Sequence, residues 1–166
     1  MTSRRVEIER VSYISSKPFD AVLAAVEAAV GHPDMAAFGK AIKSAQKLAD
    51  FEDVVRPGLG PTGLMLFMSL DHGAVLRKET GLDRPKMVRL VIGNPLIMKE
   101  MAKHVADAGS YAPVTVLVDE RPDGVHLTYD RIASLLAPYG NADALAVARD
   151  LDSKIERVLR QAALVG

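Results

Sequence analysis

The sequence predicts an α/β fold of the α+β kind, in which a mixed five-stranded sheet and a set of helices form two layers in the order β-α-(α)-β-α-β-α-β-β-α-α. Three observations carry this expectation. Two nearly continuous apolar runs, residues 64–70 and 87–92, have the length and flanks of buried strands. Two alternating segments meet at Arg121-Pro122-Asp123-Gly124, where Pro and Gly stand as a hairpin turn wants them. Between and beyond these, apolar residues recur at helical spacing.

The elements follow in order. Val6 and Ile8 alternate with charges, and Val11 and Tyr13 alternate in the opposite phase, which predicts an edge strand with a slip near Glu9-Arg10. Pro18 then sits in the first turn of a helix whose apolar face is Phe19, Val22, Leu23, Val26 and Val30. Gly31-His32-Pro33 ends it. Residues 34–56 carry Met35, Phe38, Ile42, Ala45 and Ala49 at helical spacing, so one or two amphipathic helices are expected there, forming a helical insertion at about 34–62. The Pro- and Gly-rich residues 57–63 read as a loop.

The run 64–70 is expected to be a central strand buried on both faces, followed by Asp71-His72 and a short helix that Gly81 closes. The second buried strand, 87–92, is interrupted by Arg89. Asn94 is a natural N-cap and Pro95 a natural first residue for the next helix, with Met98, Met101, Ala102 and Val105 inward. Val114, Val116 and Val118 share one side of the strand entering the hairpin, and Val125, Leu127 and Tyr129 alternate on the strand leaving it. A short helix at 131–137 stops at Pro138-Tyr139-Gly140. Asn141 caps a C-terminal helix at about 141–164, with Asp150/Lys154 and Glu156/Arg160 as outward pairs. The helical connections are expected to make the strands they join parallel, leaving only the hairpin antiparallel.

Composition excludes several functions. The 166 residues suit a single domain. Lys+Arg 21 against Asp+Glu 21 leaves no basic surplus for a nucleic-acid groove. With Cys 0 there is neither disulfide nor thiolate chemistry. The start Met1-Thr2-Ser3-Arg4-Arg5 is basic but no apolar segment follows, and no stretch is long enough to span a bilayer, so the cytoplasm is the expected location.

Asp71-His72 after one buried strand, Gly93-Asn94-Pro95 after the next, residues 113–118, the Gly-containing hairpin and Tyr129 together resemble the domain of unknown function 302 family. The resemblance covers residues 6–30 and, more closely, 64–137; the helical segment 34–62 and the terminal helix fall outside it. It implies a two-layer α/β domain, often a cytoplasmic homodimer, with no established activity.

If the strands ending at Leu70, Ile92 and Glu120 ran parallel, their carboxyl ends would share a rim where ligands of α/β sheets bind. That rim would carry Asp71, His72, Gly93, Asn94, Asp119 and Glu120, with His126 returned beside it. His72 and Asp71 are the candidate catalytic pair, through a titrating imidazole oriented by a carboxylate. Gly93, Asn94, Arg89, Glu120 and His126 are the candidate ligand-binding residues, the Asn94 turn because a helix N-terminus favours anions. A divalent metal on His72, Asp71, Glu120 and His126 is conceivable, but none is assigned. Met65, Met68, Met87, Met98 and Met101 could suggest a haem or copper pocket, although methionine is an ordinary core filler. No cofactor is identified. Asp71-His72 and Asn94 equally suit plain turn and helix capping.

Three functions follow: a small-molecule or anion-binding homodimer; a small lyase, isomerase or hydrolase using His72 with a carboxylate; and a structural or interaction domain. The first is preferred. Nucleic acid and membrane are not expected partners. The segment 34–56 is expected to lie over the rim or at a subunit contact and control access there, or else simply to pack on the sheet face.

Overall fold

The structure is a computed structural model and describes Ser3 and residues 5–164. Met1, Thr2 and Arg4 of the basic start therefore lie outside the described residues. These residues form five strands, β1 (Arg10–Ser15), β2 (Met65–Asp71), β3 (Met87–Gly93), β4 (Val114–Arg121) and β5 (Gly124–Asp130). They also form seven α-helices: α1 (Phe19–Ala28), α2 (Met35–Ser44), α3 (Leu48–Val55), α4 (Gly73–Thr80), α5 (Pro95–Ala102), α6 (Ile132–Leu136) and α7 (Ala142–Leu164). The α/β class, the five-stranded sheet and the order of elements are those the sequence predicts.

Strand direction is not. The sheet order is β1-β5-β4-β3-β2, and every neighbouring pair is antiparallel. A parallel crossover must carry the chain back along the sheet and bury its helix on a sheet face. α4 has no side fit for that: Gly73 is its single buried residue and Val75 is 70% exposed. It stays at the end of the sheet, and the chain re-enters beside β2 in the opposite sense. α5 does bury Met101, but the 3-10 turn at Ala106–Ser110 folds back against it, so β4 starts where β3 ended, with Ile92 opposite Val114.

Two further expectations change with the topology. β1 is an edge strand, but it begins at Arg10; Val6 and Ile8 precede it. β2 is the other edge rather than a centre, and Met68, Ser69 and Asp71 on it are exposed. Its apolar run reflects a buried beginning, Leu64 and Met65 at 0% exposure, rather than burial on two faces.

The helices cover one face of the sheet. Val88, Leu90 and Ile92 of β3, Val114, Val116 and Val118 of β4, and Val125, Leu127 and Tyr129 of β5 alternate toward it. They meet Phe19, Val22 and Val26 of α1 and the stripe of α7 at Ala148, Leu151, Ile155, Val158 and Leu159. Met101 belongs to this apolar interior, Met65 is buried outside it and Met68 stands exposed, so the methionines are not gathered around one pocket.

α7 departs from a simple stripe at two places. Glu156 faces inward, accepting from Arg131 Nε (2.7 Å) and Tyr13 Oη (3.2 Å), rather than pairing with Arg160. Asp152, 5% exposed, accepts from Tyr129 Oη (2.5 Å), Ile132 N (2.8 Å) and Ala133 N (3.0 Å), and so caps α6 from a different helix. Burial pushes the Asp152 carboxyl above its ordinary range against the pull of these donors.

The segment 34–56 is two helices. Asp34 caps α2 by accepting from Ala36 N and Ala37 N, and α2 buries none of its residues. Phe38 meets Phe67 of β2 edge-on at 6.5 Å. The loop after α3 is held by backbone: Gly31 N and Gly60 N both donate to Leu64 O at 2.9 Å. A Cβ on Gly60 would lie 2.3 Å from the Val30 carbonyl carbon, so glycine is required where these chains cross.

Candidate functional site

Antiparallel pairing separates the residues expected at one rim. Met65 lies opposite Gly93 and Asp71 opposite Val88, so Asp71 and Asn94 stand at opposite ends of the same strand pair, about 20 Å apart at 3.3 Å per residue. Asp71, His72, Glu120 and His126 remain at one end of the sheet. Gly93 and Asn94 are at the other, and Arg89 lies mid-strand.

The carboxylates at one end and the Asn94 amide at the other are locally satisfied. Asp71 accepts from Ala74 N (3.0 Å) and from Arg77 Nη2 (2.7 Å), and the Arg77 guanidinium holds its carboxyl below the usual range. It therefore caps α4 and does not orient His72, whose exposed ring has no hydrogen-bond partner among the described residues. Glu120 accepts from Lys86 N (2.9 Å) and pairs with Arg84 at 3.6 Å. Asn94 accepts from Leu96 N (2.8 Å) and donates to Gly63 O (2.9 Å), so both ends of its amide are engaged in capping α5 and tying down the loop before β2. Among the described residues no three His, Asp or Glu side chains form a group that could hold a metal ion.

A different constellation emerges on the face of the sheet away from the helices. Alternation places there every residue out of phase with the core valines. Ser12, Thr128, Leu117 and Arg89 follow one another across β1, β5, β4 and β3 in a single cross-strand row, and Thr115 and Val91 continue the next. The row floors a recess of about 340 Å3 whose lining residues all come from strands.

Three arginines border this recess. Arg10 makes a two-pronged pair with Asp130 at 2.6 and 2.8 Å, which holds the Asp130 carboxyl below its usual range. Arg121 forms a two-pronged pair with Asp119, at 2.7 and 3.3 Å. Arg89 has no ion-pair or hydrogen-bond partner among the described residues. Three guanidiniums against two carboxylates leave one fixed positive charge on the face, and a guanidinium cannot shed its proton near neutral pH. Hydroxyls stand next to it: Ser12 and Thr128 bond one another at 3.1 Å, and Thr115 is exposed.

Of the residues expected from sequence, the structure brings Arg89 to this recess and His126 to its border. It adds Arg10, Arg121, Ser12, Thr115 and Thr128. The signal for them was the second phase of the same strands: where Val114, Val116 and Val118 point inward, Thr115, Leu117, Asp119 and Arg121 must point outward.

The fold and site thus define a helix-backed antiparallel sheet with one open face bearing an unpaired arginine. The family model described as domain of unknown function DUF302 matches residues 40–162, and the chain belongs to that family. The match includes α3 and most of α7, which the resemblance seen in sequence left out, and it begins after β1 and α1. A similar solved structure is the crystal structure of the uncharacterized conserved protein DUF302 from Bacillus stearothermophilus. It has 14% identity and a TM-score of 0.63, covering 92% of this chain and 97% of that one, a likeness of fold. No curated protein matches the chain. Among the described residues no helix is long and apolar enough to cross a membrane.

Proposed function

We propose that the protein is a cytoplasmic homodimer that binds a small anionic molecule on the open face of its sheet, with Arg89 as the principal charge. The observation that supports this reading is the guanidinium of Arg89, unpaired in a recess where both neighbouring arginines have carboxylate partners. Its planar fork suits a carboxylate or a phosphate, which can accept two parallel hydrogen bonds from it. The Thr128 and Thr115 hydroxyls would contact further oxygens, and Leu117 offers apolar floor to the body of the ligand.

Calorimetric titration with a panel of carboxylates, phosphate esters and neutral analogues tests this. Anions alone should bind. Arg89→Ala should weaken binding at least about tenfold, and Arg89→Lys should restore part of it, because lysine keeps the charge and loses the fork. Equal binding of neutral analogues, or an Arg89→Ala variant with unchanged affinity, would refute the reading.

Association of two copies is the second part of the proposal. α2 buries no residue although Met35, Phe38 and Ile42 share a side, and Leu48 at the start of α3 is 51% exposed. A second copy would cover this surface. Light scattering at micromolar concentration should give a dimer mass, shifted toward monomer by Ile42→Glu with Leu48→Glu. A monomer mass for the unaltered chain would refute it.

A further inference from the structure

A second cavity lies between α3, α5 and α7 and shares no lining residue with the recess on the sheet face. It holds about 320 Å3, and its floor is apolar: Leu96 and Ile97 of α5 with Val147 and Leu151 of α7. α3 closes the third side with Glu52 and Arg56, and Val55 is the single residue that this helix buries. A concave apolar floor where helices meet, bordered by a few polar groups, is the usual form of a small-molecule site.

The charges at the border are Arg56, Lys99 and Lys154 against Glu52, Glu100 and Asp150. Most of them are engaged. Arg56 pairs with Glu52 at 2.8 Å, and Glu100 accepts from both Lys99 and Lys103. Asp150 and Lys154 are the exceptions. Their i,i+4 spacing predicts a pair, yet neither has an ion-pair or hydrogen-bond partner among the described residues. Lys154 is half-buried against the cavity and Asp150 is exposed at its lip. A pair between two such groups is worth little on a helix surface, so a ligand that engages both displaces almost nothing.

We propose that this cavity binds a free α-amino acid with an apolar side chain: the α-ammonium donates to Asp150, the α-carboxylate accepts from Lys154, and the side chain lies on Leu96, Ile97, Val147 and Leu151. The charges decide the class. A fatty acid would reach Lys154 only by setting its carboxylate beside Asp150, and an alkylamine would meet the reverse conflict; a zwitterion satisfies both groups. Spacing decides between an amino acid and a peptide. Residues one helical turn apart hold their Cβ atoms about 5–6 Å from each other, a gap that an adjacent ammonium and carboxylate bridge. Each added residue of an extended peptide would separate its termini by a further ~3.3 Å. The site stands apart from the anion site and does not rest on it.

Leucine is the probe, compared with isocaproate, which lacks the ammonium, isoamylamine, which lacks the carboxylate, and glycine, which lacks the apolar body. Carboxylates can also reach the sheet face, so the readout is the methyl NMR signals of Leu96, Ile97, Val147 and Leu151. With leucine these should shift and saturate. Each of the other three should bind there at least about tenfold more weakly, the loss expected for one charged hydrogen bond or for the buried side chain. Lys154→Gln and Asp150→Asn should each weaken leucine at least about tenfold while leaving urea unfolding unchanged, since neither residue has a partner to lose. No saturation by leucine up to its solubility overturns the proposal. So does equal affinity for isocaproate or isoamylamine, which would make the cavity an apolar groove indifferent to charge, and so does leucine binding that both variants retain in full.

Discussion

Replacing Asp152 with alanine should destabilise the protein by about 2–4 kcal/mol, a large fraction of the stability of a domain this size. The carboxylate serves three donors at once: Tyr129 Oη, Ile132 N and Ala133 N. Loss of a helix cap accounts for about 1 kcal/mol. The Tyr129 hydroxyl, in a residue 1% exposed, would be left without an acceptor, at about 1–3 kcal/mol. Removing a carboxylate whose burial is itself unfavourable offsets part of this. Tyr129→Phe alone should cost about 1 kcal/mol, since the two backbone donors still serve Asp152. The two substitutions share one hydrogen bond, so the double variant should be less destabilised than the sum, by about 1 kcal/mol. Urea unfolding of the four proteins closes the cycle. A loss under 1 kcal/mol in Asp152→Ala, or strictly additive effects, would refute the view that this carboxylate joins β5, α6 and α7.

Glu156→Gln should lower stability by about 1–2 kcal/mol near pH 7 and have little effect near pH 2.5. Arg131 holds the Glu156 carboxyl below its unfolded value, so its contribution is present above that value and is lost as pH falls through the folded one, as unfolding curves at several pH values will register. Gly60→Ala should destabilise by at least about 2 kcal/mol, because its Cβ would overlap the Val30 backbone; a neutral result in thermal unfolding would contradict that contact. Asn94→Ala should cost about 1–2 kcal/mol in the same assay while leaving sulfate affinity within twofold, since its amide is engaged with Leu96 and Gly63. A loss of sulfate affinity there would return the binding site to the turn before α5.

The periodicities that define single elements were legible. The face of α1, the cap at Asn94 and the hairpin at Pro122-Asp123 appear in the structure as the spacing predicts. Strand direction was not, because it depends on whether the connecting helix has an apolar side to lay on the sheet, and α4 does not. That single difference dissolved the expected rim and moved Asp71 and Asn94 to opposite ends of β2 and β3. The recess lay in the outward phase of strands recognised by their inward phase. Arg89 stood out in sequence because it broke an apolar run; Arg10 and Arg121 did not, because charges at an edge strand and beside a turn are ordinary. Asp152 was hidden for a related reason: its three donors come from β5 and α6, and nothing local to α7 marks it as buried.

The central claim, that the open sheet face holds an anion through Arg89, is tested most directly by mapping sulfate onto the backbone amide spectrum at constant ionic strength. Shifts should saturate with one affinity at Thr115, Leu117, Thr128 and the Arg89 side chain, and disappear in Arg89→Ala. Saturating shifts confined to residues 94–97 or 71–74, or shifts at the sheet face that survive Arg89→Ala, would contradict it.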